Sequence, residues 1–351
     1  MIKKSNLRIQ VVRSSSPGLS SMSTKSCKGI VEVLSKHYKH VGVSTVNTRA
    51  DLDVLVAMQP DLVFMGMKYL PNDPKLGTQD PDKLWIGDFL DSRGIAYTGS
   101  GGSAHELELD KSLSKQRVLD SGLQTSQYFT MRQNIAHGQT NLRYPLFVKP
   151  LDRGGGMGID AQSVVYDDVQ LQTKLQSLHD DLQADALVET YLPGREFSVA
   201  IIKNEYNDHY SAMPLELVAP VDEHGHRILS DAVKSADTEA FLPVETGVLK
   251  ESIKRLALQV FNTLGAQDYG RIDIRLDGDG TPQFLEANLI PSLLNHYGNF
   301  PKACLLNMSL GFEPMLLQIV RLGLQRNNAA VVESLAFDIG SVAPLIQPQP
   351  L

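Results

Sequence analysis

Four side chains suited to work on a phosphate lie in one short stretch, GRIDIRLDGDGTPQFLEANLIPSLL, starting at Gly270. Two alternating segments flank the turn-forming run DGDGTP. Strand alternation puts Arg271, Asp273 and Arg275 on one face and Ile272, Ile274 and Leu276 on the other. In the second segment Glu286 and Asn288 share a face opposite Leu285 and Ala287. Same-face neighbours stand roughly 7 Å apart along a strand, so a hairpin turning near Asp279 brings Asp273 alongside Glu286, with a bulge able to shift the pairing by one residue. Two carboxylates and an amide oxygen are donors that Mg²⁺ accepts when substrate phosphates complete its shell. In that arrangement Glu286 bridges two ions, Asp273 completes one site and Asn288 the other. The plainer reading is a solvent-facing hairpin with ordinary Asp–Arg pairs. DGDG lacks the spacing and terminal glutamate of an EF-hand.

A second group of residues points the same way. PLFVKP reads as a strand that delivers Lys149 to DRGGGMGI, where Gly154, Gly155, Gly156 and Gly158 fall within five residues. Glycine lets backbone N–H groups approach phosphate oxygens without a Cβ in the way, and Lys149 supplies charge to the same phosphates. GKS or GKT is missing, so this is not a P-loop. A glycine-rich surface turn is the simpler alternative. Lys111 and Lys115 lie in HELELDKSLSKQ, where either also reads as a solvated helix residue. ALVETYLPGREFS offers Glu189 and Glu196 around Leu192, polar groups beside an apolar wall of the kind that suits a nucleoside. Glu196 also has Arg195 as a neighbour to pair with.

The elements that must carry these residues alternate between strand and helix. The chain has 351 residues, a formal net charge of −7 and 42% hydrophobic residues, enough for two or three domains. That charge argues against an extended nucleic-acid surface while leaving room for a local cationic pocket. Two cysteines, Cys27 and Cys304, are too few for a disulfide framework and lack metal-site spacing, so a reducing, cytoplasmic compartment is expected. No signal peptide and no 18-residue apolar run is found. Strands are expected at LRIQVV (7–12) and PDLVFMGM (60–67), with a helix over 25–38 and another in WIGDFLDSRG stopped by Gly94. The first strand is not followed by a GxGxxG fingerprint. HELELDKSLSKQRVLDSG reads as a helix ending at Gly122, and further helices are expected over 167–178, 248–264 and 312–324. Strands are expected in ALVETYL and GREFSVAII.

Taken in order, LDKSLSKQRVLDSGLQT, YPLFVKPLDRGGGMGI, ALVETYLPGREFSVAII and YGRIDIRLDGDGTPQFLEANLIPSL resemble the D-alanine–D-alanine ligase family of ATP-grasp enzymes over roughly residues 95–325. The resemblance implies a three-domain α/β ATP-grasp architecture. Its parts are an N-terminal Rossmann-like substrate-side domain (1–107), a central lid subdomain (108–195), a C-terminal metal-binding domain (196–327) and an extension, 328–351, without an assigned element. ATP and two Mg²⁺ ions are implied as cofactors, and small carboxylate and amine substrates, amino acids among them, as partners. No nucleic acid or membrane is implied, and the family suggests a homodimer. By the same resemblance Lys111 and Lys149 contact ATP phosphates, Glu189 and Leu192 lie at adenine, and Glu196 binds ribose. Lys234 in SDAVKSAD sits on the loop that closes over ATP. Arg271 stabilises the phosphate-bearing intermediate, while Asp273, Glu286 and Asn288 hold the metals. The implied reaction forms an amide or peptide bond through an acyl phosphate.

The substrate-reading positions depart from the family pattern. RSSSPGLSSMSTKS after the first strand has no acid where the family holds a substrate ammonium. Gly155 and Gly156 replace a Ser-Ser pair, Ser235 replaces a tyrosine, and NLIPS puts Ser292 where a glycine is usual. Tyr297 stands near a family serine. Ser292, His296 and Tyr297 are therefore candidate substrate contacts, and Arg13 is a candidate to favour a carboxylate. A carboxylate–amine ligase with altered substrates is the favoured expectation. Authentic D-alanine–D-alanine ligation, a nucleotide-sensing protein without turnover, and a kinase stopping at the phosphorylated carboxylate are the competing ones. HGH at 224–226 reads as a polar turn rather than a zinc site.

Overall fold

The computed structural model describes residues 4–16, 18–132, 135–138 and 140–327. The extension 328–351 thus lies outside the described residues. The chain opens with a parallel sheet of strands β1 (Ser5–Arg13), β2 (Tyr38–Thr45), β3 (Leu62–Met65) and β6 (Ala96–Tyr97), in the order β2-β1-β3-β6. Helices α1 (Thr24–Leu34), α2 (Arg49–Ala57) and α3 (Ile86–Asp91) connect them, and β4 (Tyr69–Leu70) pairs with β5 (Leu84–Trp85). The expected helix over 25–38 stops earlier, at Leu34, because Tyr38 already belongs to β2. Sequence reasoning missed that strand for a physical reason. It is an edge strand in which only Tyr38 and Ser44 are buried, so the apolar run that marks β1 and β3 is absent.

The helix expected through to Gly122 is in fact two, α4 (Gly102–Leu109) and α5 (Lys111–Asp120). Asp110 breaks the run: its backbone is extended, and its carboxylate accepts hydrogen bonds from the N–H groups of Ser112 and Leu113. An N-cap in mid-sequence restarts the helix on a new axis.

The central sheet is antiparallel, with β7 (Tyr128–Arg132), β8 (Ile135–Gly138), β9 (Leu146–Pro150), β10 (Val164–Val165) and β11 (Ala186–Thr190) in the order β10-β9-β11-β7-β8. Helix α6 (Asp168–Leu182) covers one face through Leu171 and Leu178. The third sheet comprises β12 (Glu196–Lys203), β13 (Tyr210–Val218), β14 (Ala240–Pro243), β15 (Tyr269–Leu276) and β16 (Pro282–Asn288), ordered β14-β13-β12-β15-β16. Short helix α7 (Asp231–Ala236) precedes β14, and α8 (Val248–Thr263) seals one face with Ile253, Leu256, Ala257, Val260 and Phe261. Helices α9 (Asn299–Met308) and α10 (Phe312–Asn327) close the described chain.

Strand β12 shows how the sheet divides its labour. Phe197, Val199 and Ile201 enter the core under α8. On the opposite face Ala200 and Ile202 pack into the core shared with the first sheet, α9 and α10, Ser198 is buried beside Asp273, and Glu196 at the end of that face lines the cleft. Glu196 therefore sits at the cleft end of a face whose other end is anchored in the core. Among the described residues no single helix is long and apolar enough to cross a membrane, and Cys27 and Cys304 are buried free thiols.

Candidate active site

The turn DGDG closes β15 onto β16 with Arg271 opposite Asn288 and Asp273 opposite Glu286. After Asp273 the pairing shifts, so that Ile274 meets Phe284 and Leu285 is the extra residue of a bulge. Strand β12 adds Ser198 beside Asp273 and Glu196 beside Arg275. These side chains are not the solvent-facing pairs of the plainer reading. Asp273 is 6% exposed, and its carboxylate accepts from Arg271 Nε at 3.0 Å, Arg271 Nη2 at 2.8 Å, Ser198 Oγ at 2.8 Å and Asn288 Nδ2 at 3.2 Å. Glu286 is more open. Its nearest ionic partner is Lys111 Nζ at 3.9 Å.

Between the central and third sheets lies a cleft of about 1100 Å³, closed at one end by loops of the first sheet. Arg271, Asp273, Glu286 and Asn288 line it together with Lys149, Lys234, Glu189, Leu192 and Glu196. The register of the central sheet sets Leu187 opposite Lys149 and Glu189 opposite Phe147, so Lys149 and Glu189 are diagonal neighbours on one face. Their charges meet at 2.7 Å. Lys115 reaches the other oxygen of Glu189 at 2.8 Å and also donates to Thr125 and Ser126. Lys111, though buried, does not line the cleft. It donates to the backbone oxygens of Leu151 and Arg153, bracing the start of the glycine loop. Neither lysine of α5 is the solvated residue that the sequence allowed. Glu196 pairs with Arg275 at 2.9 Å, whereas its neighbour Arg195 pairs with Glu216.

The four glycines divide into two pairs. Gly154 and Gly155 face the cleft with nothing within 4 Å of a notional Cβ. Gly156 instead abuts the backbone of Ser230 and Asp231, and a Cβ on Gly158 would lie 2.7 Å from Pro150 and 2.8 Å from Leu182. These two serve close packing, of the loop against α7 and against α6. Of the candidate substrate contacts, Ser292 and Tyr297 line the cleft. Tyr297 also donates its hydroxyl to the backbone oxygen of Lys234 at 2.7 Å. His296, an exposed residue with φ of +64°, is not among the lining residues, nor is Arg13.

The electrostatics follow from this crowding. Burial opposes charge on Glu189, but Lys115 and Lys149 overcome it and hold the carboxyl well below the ordinary range. Burial likewise opposes charge on Glu286, yet Lys111, Lys149, Lys234 and Arg271 keep its pKa low. Glu196 moves the other way, raised by burial against the attraction of Arg275, with Asp273 and Glu286 adding to the rise. Burial pushes Lys115 down to about 8 in spite of Glu189. Among the described residues no three His, Cys, Asp or Glu side chains converge as a self-sufficient metal site.

Sequence reasoning named Lys115 and Arg275 without giving either a role, and missed Lys68 with Glu108. The i, i+4 spacing of Lys111 and Lys115, which places both on one helix face, was the available signal for the first.

The sequence and the fold match known proteins. The family model described as D-ala D-ala ligase C-terminus matches residues 119–321, more than half of the chain. An uncharacterized protein of Sinorhizobium fredii is 32% identical over 213 residues, covering 59% of this chain and 60% of its own. The D-alanine–D-alanine ligase of Bordetella petrii is 31% identical over 213 residues, 59% of this chain and 62% of the relative. The chain thus spans less than two thirds of the length of these relatives. The D-alanine–D-alanine ligase structure from Bacillus anthracis, complexed with ATP, superposes with a TM-score of 0.70 at 20% identity, covering 92% of this chain and 99% of that one. The Coxiella burnetii ligase gives a TM-score of 0.62 at 16% identity, covering 95% and 98%. The expected α/β ATP-grasp architecture is therefore the observed one, and this chain belongs to the family of the D-ala D-ala ligase C-terminus.

Proposed function

We propose that the protein is an ATP-dependent carboxylate–amine ligase that forms an amide bond through an acyl phosphate. The observation that carries this reading is one cleft holding two carboxylates and an amide, Asp273, Glu286 and Asn288, facing Lys149, Lys234 and Arg271. A purely structural hairpin has no reason to gather three cations around the same carboxylate. The donor set suits Mg²⁺ because Glu286 is held ionised and, among the described residues, makes no ion pair closer than the 3.9 Å to Lys111. Asp273 would have to share its oxygens with Arg271. Such an ion commonly takes one or two carboxylates and leaves the rest of its shell to substrate phosphates, and when bound it offsets charge on them.

The residues of this chain then have distinct tasks. Lys149 and Lys234 hold the phosphates, and Gly154 and Gly155 leave the backbone free to approach them. Glu189, Leu192 and Glu196 form the wall for the nucleoside. A substrate carboxylate oxygen attacks the γ-phosphorus, forming an O–P bond as the bond to the leaving ADP oxygen breaks. Arg271, fixed by its bidentate pair with Asp273, opposes the charge on the transferring group. The amine next attacks the acyl carbon; the C–N bond forms, the C–O bond to phosphate breaks, and the amine loses a proton. The relatives named D-alanine–D-alanine ligases supply the reaction class. The acid-free segment 13–26, Gly155, Gly156, Ser235 and Ser292 argue for substrates other than two D-alanines.

The test is a mass-resolved MgATP assay with mixed amino acids, D-alanine included, on wild type and Glu286→Gln. An ATP-dependent amide made by wild type and reduced at least about 100-fold in the variant supports the reading. A folded protein that makes a stable phosphorylated carboxylate without any amine would replace it with a kinase. Tight nucleotide binding without turnover would instead favour a sensor.

A further inference from the structure

The end of the cleft formed by the first sheet has a charge arrangement of its own. Lys68 follows β3 and lines this end, beside the loop Gly18–Ser21 that carries no acid. Its ammonium meets Glu108 Oε1 at 2.7 Å. Glu108, from α4, is itself 2% exposed at the side chain and has every oxygen engaged: Oε1 also accepts the Leu289 N–H at 2.8 Å, and Oε2 meets His105 Nδ1 at 2.8 Å. Lys68 is different. Its side chain is 18% exposed, and an ammonium has three donors, of which Glu108 occupies one. A buried carboxylate thus anchors a lysine that lines the cleft and has donors beyond this pair.

Lys75 and Arg153 are further cations of the same lining. Asp152, an acid of the same lining, accepts at Oδ2 from Thr78 and Arg153, while its Oδ1 is buried without a partner among the described residues. Leu289 immediately follows Asn288, so Glu108 ties the cation to the backbone that carries the hairpin's last polar residue.

We propose that Lys68 is a substrate-binding residue that receives an anionic carboxylate group, and that the substrate at this end is a dicarboxylate or an acidic amino acid rather than a simple ammonium-bearing one. Glu108 and His105 act through it as positioning residues. This rests on the ligase reading for the word substrate, but the binding chemistry can be tested apart from it.

Calorimetric titrations of the full chain with glutarate, and separately with n-butylammonium and D-alanine, should be run with and without MgADP. Wild type, Lys68→Gln and Lys68→Arg are compared, glutamine keeping a donor for Glu108. Glutarate should bind wild type at least tenfold more tightly than Lys68→Gln, with Lys68→Arg recovering part of the loss and MgADP affinity equal in all three. Tighter binding of n-butylammonium or D-alanine than of glutarate overturns the proposal and shifts attention to Asp152. Equal glutarate affinity in Lys68→Gln, or no glutarate binding to wild type, overturns it as well. Failure of MgADP to bind would instead sink the ligase reading and leave the glutarate result to be judged alone.

Discussion

At the scale of single residues, the cleft depends on carboxylates that are buried and over-supplied with cations. Glu189 lies between Lys115 and Lys149 at 2.8 and 2.7 Å. Removing one partner of a buried pair costs about 3–5 kcal/mol, because the other charge is left without compensation. Lys115→Met should therefore lower the urea unfolding free energy by about that amount, more than a substitution at exposed Lys36 would. Unfolding midpoints decide it, and a loss below about 1 kcal/mol would mean that Thr125, Ser126 and Lys149 suffice to hold Glu189. Glu108 makes a pH prediction. Burial disfavours its charge, but Lys68 and His105 bring its pKa down to about 2 from the ordinary 4.5. A depressed acid contributes stability that is fully present above pH 4.5 and is lost as pH falls toward 2. A shift of this size corresponds to about 3 kcal/mol. Glu108→Gln should accordingly flatten the acid limb of the stability profile between those pH values, and an unchanged limb would show that other carboxylates govern it.

At the scale of elements, the glycine loop separates two roles that look alike in the sequence. Gly155 and Gly158 both have φ of +73°, but only Gly158 has Pro150, Leu178 and Leu182 within 3.0 Å of a notional Cβ. Alanine at either position meets a left-handed backbone cost of about 1 kcal/mol, and at 158 overpacking adds about 1–3 kcal/mol. Gly158→Ala should thus unfold at clearly lower urea than Gly155→Ala, while Gly155→Ala should weaken MgADP binding more for each unit of stability lost. Equal unfolding midpoints would refute the packing role. The faces of the hairpin strands were legible from alternation, but a turn centred on Asp279 in unbroken register would set Asp273 opposite Leu285, and it is the bulge that brings Glu286 beside Asp273. The bulge at Leu285 was not legible, since one extra residue leaves the hydrophobic pattern of PQFLEA intact. Nor was the break at Asp110, because DKSLSK reads equally well as helix interior or as a new cap.

At the scale of the whole molecule, the cleft is walled by segments far apart in the chain, and composition says nothing about which will meet. Thr78 near the first sheet bonds Asp152 and Arg153 at the glycine loop. Tyr166 and Tyr191 both bond His226, joining the central sheet to a loop of the third. Tyr297 after the hairpin holds the Lys234 backbone at 2.7 Å. The last contact is the best handle on closure, because Tyr297 is 38% exposed and contributes little to any core. One such hydrogen bond is worth about 1 kcal/mol net, or roughly a fivefold change in a local opening equilibrium. Tyr297→Phe should therefore speed amide exchange in Asp231–Ala236 by about fivefold, while α8, buried beneath the third sheet, keeps its protection. If MgADP lies under this segment, adding it should shrink the difference, since a ligand favours the closed form by its differential affinity. Unchanged exchange in the variant would place the hold on α7 elsewhere, in the packing of Gly156 against Ser230 and Asp231.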